Sequence, residues 1–153
     1  IKSSFFIIRF KGRFIALFLL IFSNFTLMSQ TFHKTERLKS KIIFDELIAS
    51  GSTVKKHPFI IVWKKLNVDQ SYPIRIAFSV SKKRFPLAVD RNEMKRKIRE
   101  AYRLKKFDIY AKLKNNYAVL LIYTPKEKIK RDLINNKLTL VFERFIDDVK
   151  ERA

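Results

Sequence analysis

The chain has 153 residues and a net charge of +20, with 34 Lys or Arg against 14 Asp or Glu, and 47% of it is hydrophobic, enough for one ordinary core and too much for a disordered chain. The absence of cysteine excludes disulfides, thiol nucleophiles and thiolate metal sites, and two glycines exclude the Gly-rich phosphate loops. Such an excess of positive charge calls for a polyanion, with nucleic acid the first candidate and a membrane surface the second.

Residues 1–27 carry Lys2, Arg9, Lys11 and Arg13, no acid, and the apolar run FIALFLLIF at residues 14–22. A basic flank before a short apolar run is the pattern of a secretory signal, and this run is short for a membrane span. No small-x-small cleavage pattern follows it, whereas MSQTFHKTERLKSK from Met28 reads as the start of a basic cytosolic protein. The expected organisation is an upstream-translated or signal-like segment at residues 1–27, outside a single domain at residues 28–153. The segment holds four of the positive charges, so +16 remains in the domain.

Along the domain, Leu38, Ile42, Ile43, Leu47 and Ile48 recur at three- and four-residue steps, which predicts a helix over residues 31–50 stopped by Gly51. FIIVW at residues 59–63 is β-branched and aromatic and predicts a strand, with Pro58 tolerated at its start. A polar turn at 67–73 leads to RIAFSVS, residues 75–81, a second strand with period two. After a loop at 82–89, a capping-box pair, Asp90 and Glu93, predicts a helix from Arg91 to about Lys106. Asn115 and Asn116 break it, YAVLLIYT at 117–124 predicts a strand apolar on both faces, and a last amphipathic helix is expected over 133–149. The order predicts one α+β domain, a small, mainly antiparallel sheet packed with three helices.

The segment DRNEMKRKIREAYR, residues 90–103, puts six Lys or Arg on one helix, where like charges repel unless an anion answers them. At about 100° per residue, Met94, Ile98, Ala101 and Tyr102 share a face that must pack on the sheet. Asn92, Lys95, Arg96, Arg99 and Arg103 gather on an adjacent face, and Glu93, Lys97 and Glu100 mix their signs on the third. A merely solvated surface interleaves both signs. Lys82, Lys83 and Arg84 add charge just before this helix, and residues 82–106 hold eleven Lys or Arg against three acids. Arg binds phosphate oxygens bidentately and Asn can hydrogen-bond a sugar hydroxyl or base edge, so the stripe reads as an RNA-binding face.

Ala88, Val89, Arg91, Asn92, Lys95, Arg96, Arg99, Glu100 and Arg103 together resemble the signature of the bacterial ribonuclease P protein subunit. FSVSKK (78–83) resembles the family's strand and loop before that signature, and HKTERLKSKIIFDELIASG (33–51) its N-terminal segment, which adds Arg37 and Lys39 to the basic set. RFPL at 84–87 departs from the family's pattern, being one residue longer than the usual turn and lacking its glycine. The resemblance covers about residues 28–150. It implies the ribosomal protein S5 domain 2-like fold, with the Arg-Asn helix in a βαβ crossover. It implies that the chain is the cytoplasmic protein partner of a catalytic RNA, the holoenzyme removing the 5′ leader of precursor transfer RNA. Magnesium would be held by the RNA subunit and none by the protein alone. It also implies a leader-binding cleft between the first helix and the sheet, for which Phe44, Val62 and Trp63 are the matching candidates.

The residues agree with a protein that carries no catalytic group of its own. His33 and His57 are the only histidines, and the acid pairs Asp45–Glu46 and Asp147–Asp148 sit on amphipathic helices where solvated positions are the ordinary case. Phe107, Phe142 and Phe145 are expected in the core. Two alternatives are another basic RNA-binding protein of ribosomal type and an exported cationic protein if residues 1–27 are a true signal. No stable membrane association is expected.

Overall fold

The computed structural model describes residues 31–152, so the expected Met28 start and the segment 1–27 lie outside the described residues. Phe32–Ala153 form one compact unit. Its elements are a 3-10 turn at Lys34–Glu36, α1 (Lys41–Ser50), β1 (Ser52–Lys56), β2 (Phe59–Leu66), β3 (Ile74–Val80), α2 (Ala88–Tyr110), β4 (Asn116–Tyr123) and α3 (Arg131–Glu151). The sheet order is β1-β2-β4-β3. β1 and β2 pair antiparallel, as do β2 and β4, while β3 and β4 run parallel with α2 as the crossover between them. The expected class and the βαβ placement of the Arg-Asn helix both hold.

Alternation along the strands sorts the side chains into two layers. Phe59, Ile61 and Trp63 of β2, Ile74 and Ile76 of β3, and Tyr117, Val119, Leu121 and Tyr123 of β4 join α2 and α3 in the main core. From α2 come Met94, Ile98, Ala101 and Tyr102, the face expected from their spacing. From α3 come Ile134, Leu138, Val141, Phe142, Phe145, Ile146 and Val149. The opposite sheet face packs Ala118, Leu120, Val62 and Ala77 against Leu47, Phe44, Ile43 and Leu38, a smaller cluster under α1. β4, flanked on both sides and covered on both faces, carries apolar or aromatic side chains at every position after Asn116.

Three expectations change. The helix over 31–50 is only its second half. Ser40 ends the non-helical segment, its hydroxyl accepting from the Ile43 N–H at 3.4 Å, and residues 37–38 run instead as an extended piece beside β3. Within α1, Leu47 is buried but Ile42 and Ile48 are 72% and 58% exposed, because one sheet face covers only one side of the helix. Strand β1 was absent from the expected elements; as an edge strand it needs a single inward residue, Val54, and its Lys55 and Lys56 face out. The third change is at α2, which starts at Ala88 with Leu87 before it and no side-chain cap. Asp90 therefore lies inside the first turn, where a negative charge suits the helix dipole. Glu93 pairs with Lys97 at 2.7 Å and Lys128 at 2.6 Å rather than reaching back to a cap.

Gly51 joins α1 to β1 with ordinary extended dihedrals, so its requirement is space. A Cβ there would stand 2.3 Å from the Leu47 carbonyl oxygen and 2.7 Å from Val62 Cγ1. The lack of a side chain lets α1 descend onto the sheet.

Candidate nucleic-acid interface

α2 is anchored by its apolar face and presents the rest. Asn92 and Arg96 are exposed, Lys95 and Arg99 half-buried, and among the described residues these four have no ion-pair partner. Opposite charge is confined to the neighbouring face. There Lys97 and Lys128 meet Glu93, Lys128 also meets Asp90 at 2.6 Å, and Glu100 lies 2.7 Å from Arg103. The hydrogen bond from Lys128 and that from Lys97 hold the Glu93 carboxyl down at about 2, and the Arg103 hydrogen bond lowers Glu100 in the same way. The mixed face neutralises itself. The stripe does not.

The sequence-nominated cations divide by what they touch. Arg91 donates from Nη1 to the backbone carbonyls of Phe85 at 2.8 Å and Pro86 at 2.6 Å, so it clamps the β3–α2 loop. Arg84 donates to the Thr124 carbonyl, tying the same loop to the end of β4. The glycine-free turn at 84–87 is therefore held by two guanidiniums and by Phe85, which is buried against Tyr123. Arg103, placed on the basic stripe by spacing alone, is engaged by Glu100 through Nε at 2.9 Å and Nη2 at 2.7 Å. Lys82 and Lys83 are exposed just before α2, and Arg37 and Lys39 are exposed on the extended segment beside β3.

That segment is brought to the stripe by aromatic packing. The Arg37 guanidinium carbon lies 5.4 Å from the Phe32 ring centre, Phe32 meets Phe78 edge-on at 5.9 Å, and the Arg99 guanidinium carbon lies 6.0 Å from Phe78. Two cations 62 positions apart thus flank one aromatic pair. The Arg99 Nε is buried and makes no hydrogen bond. Phe32 and Phe78 carried no signal for this role, because their apolar character alone assigns them to the core.

The candidates for the cleft fall on both sides of the sheet. Phe44 and Val62 meet under α1, half-buried, next to Leu120 and Ile122. Trp63 lies on the other face, buried in the main core, with Tyr117 and Phe145 each 5.6 Å away edge-on. Its indole N–H donates to Asp148 Oδ2 at 2.9 Å. Consecutive strand residues point to opposite faces, so Val62 and Trp63 cannot line one cleft. Beyond α1 the register aligns Ile60 with Ile122 and Ile122 with Ser79, half-buried residues on the Phe44 side, with Lys55 opposite Ile60 at the edge.

Among the described residues no three His, Asp or Glu converge to hold a metal ion, and no helix is long and apolar enough to cross a membrane. Phe142 and Phe145 are buried as expected, whereas Phe107 packs half-buried against the core.

A family model described as Ribonuclease P matches residues 32–146. The ribonuclease P protein component of Macrococcus caseolyticus is 31% identical over 110 residues, covering 72% of this chain and 90% of that protein. That of Chlorobaculum tepidum is 38% identical over 74 residues, 46% of this chain and 48% of that protein, so the chain spans about half the length of this relative. Among solved structures, the Staphylococcus aureus RNase P protein aligns with a TM-score of 0.59 at 28% identity, covering 72% of this chain and 94% of the other. The RNase P protein from Thermotoga maritima shares the fold with a TM-score of 0.58 at 23% identity, covering 71% and 96%. With the model spanning most of the described residues, the chain belongs to the ribonuclease P protein family.

Proposed function

We propose that this chain is the protein subunit of a ribonuclease P holoenzyme, binding the catalytic RNA and the 5′ leader of precursor transfer RNA to promote endonucleolytic removal of that leader. The observation that carries the reading is the segregated stripe of α2, four polar or cationic side chains without ion-pair partners among the described residues, on a chain of this family. Lys95, Arg96 and Arg99 donate to phosphate oxygens and Asn92 to a sugar hydroxyl or base edge, with Arg37, Lys39, Lys82 and Lys83 extending the footprint. Contacts of this kind read backbone and shape rather than sequence, which suits a folded RNA.

The leader crosses the sheet face beside α1, where Phe44 offers a stacking surface and Val62, Ile60 and Ile122 offer apolar contact. Single strands are held by such contacts along a basic groove. Magnesium belongs to the RNA subunit, and the chain's own task is to neutralise phosphates so that two polyanions can approach. The test is cleavage of precursor transfer RNA at low magnesium by a cognate ribonuclease P RNA, with and without the protein. Cleavage is expected only with both. A precursor cut by nuclease-free protein unaided, or a protein that leaves the RNA's cleavage unchanged, refutes the reading.

A further inference from the structure

We propose that the buried Glu36–Lys106 pair is a positioning latch for the RNA-binding face, fixing the N-terminal segment so that Arg37 and Arg99 act on the same stretch of phosphate backbone. The inference deepens the RNA-binding reading and rests on it. Glu36 and Lys106 are the only buried charged residues among those described, both 0% exposed. Lys106 Nζ lies 2.8 Å from Glu36 Oε1, and the Tyr110 hydroxyl donates to Oε2 at 2.8 Å. The His33 N–H donates to Oε1 at 3.1 Å, and the Tyr102 hydroxyl is 3.1 Å from that of Tyr110. Burial pushes the Tyr110 hydroxyl above its ordinary range, so it stays protonated and donates.

Burying two charges is expensive, and well-packed apolar residues of similar size often hold a fold equally well. The pair needs a reason other than stability, and direction supplies one. Apolar contact tolerates sliding, whereas a carboxylate held by a backbone N–H, an ammonium and a phenol has a single seat. Lys106 and Tyr110 belong to α2, the helix that carries the stripe. Glu36 immediately precedes Arg37, which bridges Ile76 of β3, and the Leu38 N–H donates to the Ile76 carbonyl at 3.0 Å. Seating Glu36 on α2 therefore sets the register of Arg37 on the Phe32–Phe78 pair, across from Arg99 and its unpartnered Nε.

The experiment is a double-mutant cycle read by the salt dependence of binding to a bacterial ribonuclease P RNA transcript. Arg37→Ala should weaken binding several-fold and lower the log–log salt slope by about one. Glu36→Gln, which keeps the size and loses the charge, should do at least as much. In the Glu36→Gln background Arg37→Ala should add less than twofold, while Arg96→Ala keeps its full effect. Amide exchange should quicken at residues 33–38 and not in β2 or β4. An undiminished Arg37→Ala effect in that background overturns the latch. If Glu36→Gln does not fold, the cycle runs on Glu36→Leu with Lys106→Met, and an undiminished Arg37 effect there overturns it equally. Loss of any effect from Arg96→Ala and Arg99→Ala in the unaltered protein would instead sink the RNA-binding reading itself.

Discussion

The indole of Trp63 donates to Asp148 at 2.9 Å, joining the central sheet to the last helix across the main core. Asp148 is also held by Arg152 at 2.9 Å, and Arg152 reaches Ser52 Oγ at 3.1 Å, so one carboxylate gathers β1, β2 and the end of α3. Trp63 is thereby a stability residue. Trp63→Phe keeps most of the apolar packing with Tyr117 and Phe145 and removes the donor. It should lower stability by ~1–3 kcal/mol in urea unfolding. The ratio of precursor to mature transfer RNA affinity should not move, and a fall in that ratio would return Trp63 to the leader site.

Gly51 offers a sharper test of how α1 is seated. Gly51→Ala places a methyl against a backbone oxygen that has nowhere to go and against Val62 Cγ1. Ordinary helix-end reasoning would tolerate alanine here, since the dihedrals are extended. Crowding should instead destabilise the chain by ~1–3 kcal/mol. It should also shift α1 relative to Val62, so precursor affinity should fall more than mature affinity. An unfolding midpoint equal to the parent's would show that α1 has room to move.

Much of this architecture is legible in the residues, and the failures have identifiable causes. The inward face of α2 follows from spacing because the 3.6-residue period is sustained from Met94 to Tyr102, and β4 is legible because a strand covered twice must be apolar twice. β1 escapes because an edge strand with one buried residue looks like a polar loop. Val62 and Trp63 are separable by strand alternation alone, a signal present in the residues themselves. Arg91 and Arg103 look identical to Arg96 and Arg99 by type; contacts with the loop carbonyls of Phe85 and Pro86 set Arg91 apart, and an i,i+3 pair with Glu100, whose spacing the residues already carry, sets Arg103 apart. Glu36 and Lys106 are 70 positions apart, a separation at which no local pattern operates.

The mixed face of α2 has its own pH signature. The Glu93 carboxyl is lowered from its ordinary 4.5 to about 2 by its hydrogen bonds with Lys128 and Lys97. A carboxylate depressed on folding contributes stability that is present above the unfolded value and lost as pH falls toward the folded one. Glu93→Gln should therefore be less stable than the parent above pH 4.5, with the two thermal midpoints converging between pH 4.5 and 2. A gap between them that stays constant over that window would mean the Lys128 and Lys97 contacts do not persist in solution.

Within α2 the ion pairs rank the cations by what each can give to RNA. Arg96 and Arg99 have no ion-pair partner among the described residues, so phosphate contacts break no ion pair. Lys97 faces Glu93 at 2.7 Å and Arg103 faces Glu100 at 2.7 Å, so each must either keep its carboxylate or exchange it for phosphate at little gain. Alanine at Arg96 or Arg99 should each weaken binding to ribonuclease P RNA by roughly tenfold and lower the salt slope by about one. Alanine at Lys97 should leave the slope unchanged, and Arg103→Ala should fall between. Glu100→Gln supplies the control, because releasing Arg103 from its carboxylate should raise affinity and steepen the slope. Equal losses at all four cations, with no gain from Glu100→Gln, would reduce the interface to diffuse charge and remove the ordered face.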